Sequence, residues 1–263
     1  MVARINTVAF QGVEVLEVDV QVQIASGVPA FTVVGLPDKA VAESRERVRA
    51  ALGAIGLSIP PKRITVNLSP ADVLKEGSHF DLPIAVGLLV SMGVISAEDI
   101  AGFFVLGELA LDGSLAAVAG VLPAALGASA RDMGLICPAV CGPEAAWAAK
   151  LEILAPENLL GLVNHFKGTQ VLSPPEPKMA TDAPSHLDML DIRGQETAKR
   201  ALEVAAAGGH NMLMIGPPGS GKSMLAARLP SILPPLSAQE ALETSMIHSL
   251  CGMIKEGGIS RSP

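Results

Sequence analysis

Eight residues in the last quarter of the chain, Gly216-Pro217-Pro218-Gly219-Ser220-Gly221-Lys222-Ser223, limit the possible folds more than any others. Gly216, Gly219 and Gly221 let the backbone turn its N–H groups toward one point with no Cβ in the way. A G-x-x-x-x-G-K-S spacing arises by chance in unrelated chains, so its weight comes from its flanks. Met212-Leu213-Met214-Ile215 reads as a short buried strand, and Lys222 to about Leu229 reads as a helix. A strand entering such a loop and a helix leaving it make an α/β unit with a phosphate-binding turn between them. Lys222 offers a compact positive charge to the β- and γ-phosphates. The Ser223 hydroxyl suits Mg2+, a hard ion that prefers oxygen. The whole loop is therefore the candidate ATP site, with Ser223 as the candidate Mg2+ ligand.

Hydrolysis asks for more than this loop, since a neighbouring strand must supply a carboxylate to the metal. After Ser223 the acids are Glu240, Glu243 and Glu256, and none ends an apolar strand. The sequence shows binding equipment without a catalytic acid.

The chain has 263 residues, enough for two domains. Residues 168–187, with Pro174-Pro175, Pro177 and Pro184, read as a linker. A front domain of residues 1–167 and a back segment of residues 188–263 remain. In the front, Val13 to Ile24 alternates, with Val18, Val20, Val22 and Ile24 on one face of a strand. Asp38 caps a helix whose apolar positions are Val41, Val48, Leu52 and Ile55, and Gly56 stops it. Further strands are expected at Arg63–Leu68, Phe103–Leu106, Leu109–Leu111 and Leu135–Ile136. Helices are expected at Asp81–Met92, Val121–Arg131, 143–150 and 157–166. In the back segment, helices are expected from Gly194 to Ala207 and from Ser237 to Leu250, the latter begun by a Ser237/Glu240 capping box.

Composition narrows the function. Aromatics are 3% of the chain, with one Trp and no Tyr, which leaves little to stack on bases. The formal charge of −7 gives no broad basic face for nucleic acid. Lys62-Arg63 and Arg45/Arg47/Arg49 read as solvated local clusters. Cys137, Cys141 and Cys251 lack the paired spacing of a metal site and read as core thiols of a reducing cytoplasm. Residues 113–130 carry no charge but contain Gly and Pro123, and read as a buried strand-turn-helix, not a membrane span.

Longer motifs add a resemblance. Asp191-Ile192-Arg193-Gly194-Gln195-Glu196-Thr197-Ala198-Lys199-Arg200, then Gly208-Gly209-His210-Asn211 running into the loop, resembles the magnesium-chelatase-like AAA+ ATPases of the ComM/YifB family. Val34-Gly35-Leu36-Pro37-Asp38, Asn67-Leu68-Ser69-Pro70-Ala71-Asp72, Lys75-Glu76-Gly77-Ser78-His79-Phe80-Asp81-Leu82-Pro83 and Gly107-Glu108-Leu109 are similar to its front domain. The resemblance implies an α/β chain: an α+β front domain with the Lon protease/ribosomal S5-like fold, then the start of an AAA+ domain. It further implies ATP-dependent hexameric self-assembly, a role in DNA branch migration during natural transformation, and Asp191 to Gln195 beside the adenine. Family members continue into an acidic metal-binding strand, sensors and a ring-completing arginine. The chain is thus expected to be a fragment. A motor subunit of magnesium chelatase and a catalytically inactive remnant are the alternatives.

The Lon-like front domain raises a third reading, a Ser-Lys peptidase with Ser78 as nucleophile. Lys75 is the one lysine near it in sequence, and none follows until Lys150. His79 and Asp81 invite a triad, but Asp81 is expected to cap the next helix and His79 to lie on the surface.

Overall fold

The computed structural model describes residues 2–148, 150–180, 187–254 and 257–262. The expected linker residues 181–186, Ala149 of the expected 143–150 helix, and Glu256 lie outside the described residues. The chain forms two compact units. One comprises Met1–Met179 with Ser245–Gly258, the other Ala180–Thr244 with Ile259–Pro263.

Alternation builds the first unit's sheet. Strands β1 (Val2–Gln11) and β2 (Glu14–Ala25) form a hairpin with register Val2↔Gln23 through Gln11↔Glu14. Val18, Val20 and Val22 are buried on one face of β2, as their period of two requires, while Ile24 is only partly covered. With β3 (Ala30–Val34), β4 (Arg63–Ser69), β5 (Phe103–Val105), β8 (Gly134–Ile136) and β9 (Ile153–Leu154), the sheet runs β3-β4-β2-β1-β5-β8-β9. The β3/β4, β1/β5, β5/β8 and β8/β9 pairs are parallel, and the two pairs involving β2 are antiparallel. Strands β6 (Glu108–Leu109) and β7 (Leu115–Ala116) make a separate hairpin. Its Asp112-Gly113 turn is closed by Asp112 Oδ1, which accepts the Ser114 N–H at 2.9 Å.

Helix α1 (Lys39–Ala54) starts where Asp38 Oδ1 accepts the Val41 N–H at 2.7 Å, and buries Val41, Val48 and Leu52. Helix α2 (Asp81–Ser91) is buried on nearly every side. It lies so close to the sheet that a Cβ at Gly87 would come 2.5 Å from Val22 Cγ2. Short α3 (Ala97–Ile100) precedes β5, and α4 (Val121–Ser129), α5 (Gly142–Ala145) and α6 (Leu159–Phe166) complete the layer. The uncharged 113–130 segment is a strand, a turn and the buried helix α4, as its Gly and Pro content predicts.

In the second unit, α7 (Glu196–Gly208) and α8 (Lys222–Ala226) pack Leu202 and Leu225 against Met189 and Ile192. Helix α9 (Ala238–Leu250) begins with the expected capping box. Ser237 Oγ accepts the Glu240 N–H at 3.3 Å, and Glu240 Oε2 accepts the Ser237 N–H at 2.8 Å. Its residues up to Thr244 belong to the second unit and those from Ser245 to the first.

Two expectations in this unit are corrected. Met212–Ile215 is not a strand, and Leu213 and Ile215 are 83% and 88% exposed. A strand exists only as a ladder, and no described segment runs alongside this one to accept its hydrogen bonds. Helix α8 ends at Ala226, before the expected Leu229, and a 3-10 turn, Leu229–Ile232, follows; Pro230 has no N–H to donate to Ala226 O, so the α-helical ladder cannot continue through it.

Candidate functional site

The loop at 216–223 has the geometry its glycines foretell. Gly219 and Gly221 adopt φ of +80° and +86°, values that cost a side-chain-bearing residue about 1–2 kcal/mol. Lys222 folds its side chain back into the loop. Its Nζ donates to Gly216 O at 2.8 Å, Pro217 O at 2.7 Å and Ser220 Oγ at 3.2 Å. The ammonium is thereby held at the loop's centre, its donors on weak neutral acceptors that an anion would outcompete. Ser220 closes the turn, donating its N–H and Oγ–H to Pro217 O at 3.3 and 2.9 Å. Ser223 is exposed on the first turn of α8, and its hydroxyl has no hydrogen-bond partner among the described residues. A cationic centre, a glycine-shaped turn and a free hydroxyl fit a magnesium-bound polyphosphate.

The segment expected beside the adenine is tied to this loop. Gln195, at φ +59°, donates its side-chain amide to Ser220 O at 3.4 Å. Arg228, beyond α8, donates to Asp188 O at 3.0 Å, and Ser231 Oγ accepts the Met189 N–H at 3.3 Å. Residues 188–195 thus form one wall of the loop's surroundings. Below them lies a cavity of about 370 Å³ lined by Leu202, Ala206, Met212, Met214, Leu229 and Leu233. Glu240 is engaged at the start of α9, and Glu243 accepts from Gln239 at 2.9 Å. Among the described residues no group of three His, Cys, Asp or Glu side chains could hold a metal.

In the first unit the structure takes the Ser-Lys reading apart. Lys75 Nζ is bound by the carbonyls of Pro70 and Val73, the latter at 2.6 Å, so the amine serves its own loop. Ser78 instead donates its hydroxyl to Glu108 Oε2. The expectation that His79 lies on the surface is overturned. It is 6% exposed, its Nε2 bonds Val8 O at 2.9 Å, and burial pushes its pKa down to about 4. The expectation that Asp81 caps a helix is overturned too. Phe80 occupies the cap, and Asp81 is a fully buried first-turn residue clamped by Arg47 through two bonds of 2.6 and 3.0 Å. Burial holds this carboxyl above its ordinary range, against the pull of Arg47 and the Leu109 N–H. Arg47 is therefore no solvated helix residue, since its partner lies 34 positions away where periodicity cannot see it. Ser78, His79 and Asp81 thus have three separate structural partners.

Cys137 and Cys141 are buried thiols, the latter pushed up to about 11 by burial, whereas Cys251 is exposed and departs from the core expectation. Among the described residues no helix is long and apolar enough to cross a membrane.

Two known families match parts of the chain. Residues 20–140 match the family described as subunit ChlI of Mg-chelatase, and residues 188–263 the family described as magnesium chelatase, subunit ChlI. The chain is 42% identical over 247 residues to the competence protein ComM of Haemophilus influenzae, covering 92% of this chain and 48% of that protein. It is 41% identical over 248 residues to the uncharacterized protein YifB of Salmonella typhimurium, covering 94% of this chain and 49% of the relative. An uncharacterized protein of Mycobacterium bovis is 41% identical over 253 residues, 95% of this chain and 50% of its own length. The chain spans about half the length of the curated relatives it matches.

Proposed function

Because this chain belongs to the ComM/YifB family of magnesium-chelatase-like proteins, we propose that Gly216–Ser223 binds ATP with Mg2+ as part of an AAA+ motor that remodels DNA. The observation that carries the nucleotide reading is Lys222 Nζ drawn to the centre of a turn shaped by Gly219 and Gly221. The Lys222 ammonium would meet the β- and γ-phosphates, backbone N–H groups of the loop their oxygens, and the Ser223 hydroxyl the metal. Bound Mg2+ would neutralise phosphate charge, and residues 188–195 would flank the base. In the whole protein the motor would assemble as a hexameric ring in the cytoplasm.

The DNA reading draws on the family resemblance and on the Haemophilus relative's description as a competence protein. Its test is ATP-dependent branch migration of a synthetic four-way junction by the protein purified from its source cell. Absence of any ATP-dependent product would reject the DNA role and leave the nucleotide site standing. Both matching families carry the name of magnesium chelatase, which favours metal insertion as the second reading. Stimulation of chelatase activity by this protein would move the assignment there.

A further inference from the structure

The first unit's sheet ends in β3, which ladders with β4 alone. Ala30 donates its N–H to Lys62 O at 3.4 Å. By strand alternation Thr32 and Val34 face β4 as well, and Phe31 and Val33 turn their backbone groups to the outer edge. Such an edge is a template for another strand.

Beside it lies a groove of about 500 Å³ between residues 29–31, the second half of α1 and the 57–62 loop. Phe31, Leu57, Ile59 and Ile64 give it apolar walls, and Arg49 and Lys62 are its charged lining residues, with no carboxylate among them. Among the described residues neither cation has an ion pair or a side-chain hydrogen bond. Arg4, Lys39, Arg45, Arg47 and Arg131 of the same unit each have a carboxylate partner. In a chain of net charge −7, two uncommitted cations over an apolar floor are complementary to acid.

We infer that this edge and groove receive an extended acidic segment of a partner protein. The segment adds as a strand to β3, sets an apolar side chain on the groove floor and lodges a carboxylate between Arg49 and Lys62. Main-chain bonds supply affinity in this mode, and the side-chain pockets supply selectivity. Nucleic acid fits less well, because its interfaces are polar and densely cationic and this groove is mostly hydrocarbon. The inference is independent of the nucleotide site.

The test uses the whole chain and a short fluorescein-labelled peptide alternating valine and glutamate, with glutamine replacing glutamate in the control. The expected result is saturable binding of the acidic peptide alone, weakened about tenfold or more in Arg49→Glu/Lys62→Glu. Hydrogen exchange at Phe31 and Val33 slows when the peptide is added. Both substituted residues are exposed, and an unchanged melting temperature establishes that the variant is folded. Equal binding by the variant, no binding by the acidic peptide, or equal binding of the control would overturn the inference. So would a labelled single-stranded oligonucleotide that binds the wild type, fails on the variant, and has no peptide counterpart.

Discussion

At the scale of single residues, burial converts ordinary side chains into pH-dependent ones. The His79 pKa falls from 6.5 to about 4 on folding, since desolvation outweighs its bond to Val8 O. Above about pH 6.5 the ring is neutral in both states. As the pH falls, the unfolded chain takes up its proton first, so stability is lost between about pH 6.5 and about pH 4. The loss is of the order of 3 kcal/mol. His79→Gln keeps a donor for Val8 O and has no proton to gain. Urea unfolding of this variant across that range should show a flatter pH dependence than the wild type, and an identical slope would refute the assignment. Arg47→Ala leaves the fully buried Asp81 carboxylate without its clamp. It should destabilise the first unit by about 3 kcal/mol, read from the shift in denaturation midpoint. His79 and Asp81 could not be read from sequence for one reason. Their environments come from β1, 71 positions back, and from α1, 34 positions back.

At the scale of elements, what the sequence revealed depended on whether a segment carries its own instructions. β2, β4 and α1 do, through alternation or a capped apolar stripe, and α2 does through a continuous apolar run with Pro83 in its first turn. β3 and β9 are five and two residues long, too short for a period to register, and pairing with neighbours defines them. Met212–Ile215 fails the other way, with strand-like composition and no neighbour to ladder with. The backbone of the loop after it was legible, because the positive φ of Gly219 and Gly221 is a local property of glycine. One junction tests this local logic. Gly120, at φ +81°, precedes α4, and a Cβ there would lie 2.4 Å from the Phe10 ring. Gly120→Ala combines a left-handed strain with overpacking and should cost about 3 kcal/mol, measured by thermal unfolding. A cost below about 1 kcal/mol would show that the Phe10 ring yields easily.

At the scale of the whole molecule, the two units do not follow a single cut in the chain. Residues 245–258 return to the first unit, where Ser249 O accepts the Gly120 N–H at 3.0 Å. Ser249 Oγ donates to the buried Glu144, and Glu144 Oε1 accepts the Leu122 N–H at 3.0 Å. Burial raises the Glu144 pKa, against the pull of the Ser249 hydroxyl and the Leu122 N–H. A chain ending at Met179 should therefore fold less stably than the same unit in the whole chain, and a synthetic peptide of residues 245–258 added in trans should restore part of the difference. No gain in melting temperature with the peptide would contradict this packing. Family membership and fold class rest on matches along most of the chain, which spans about half the length of its curated relatives, whereas the motor and its DNA role are proposals.

Whether Gly216–Ser223 binds ATP through Lys222 is decided by isothermal titration of the whole chain with Mg·ATP. The expected result is saturable, Mg2+-dependent binding to the wild type that falls about tenfold or more in Lys222→Ala, with an unchanged melting transition for the first unit. Equal affinity in the two proteins, or no binding to the wild type, would contradict it.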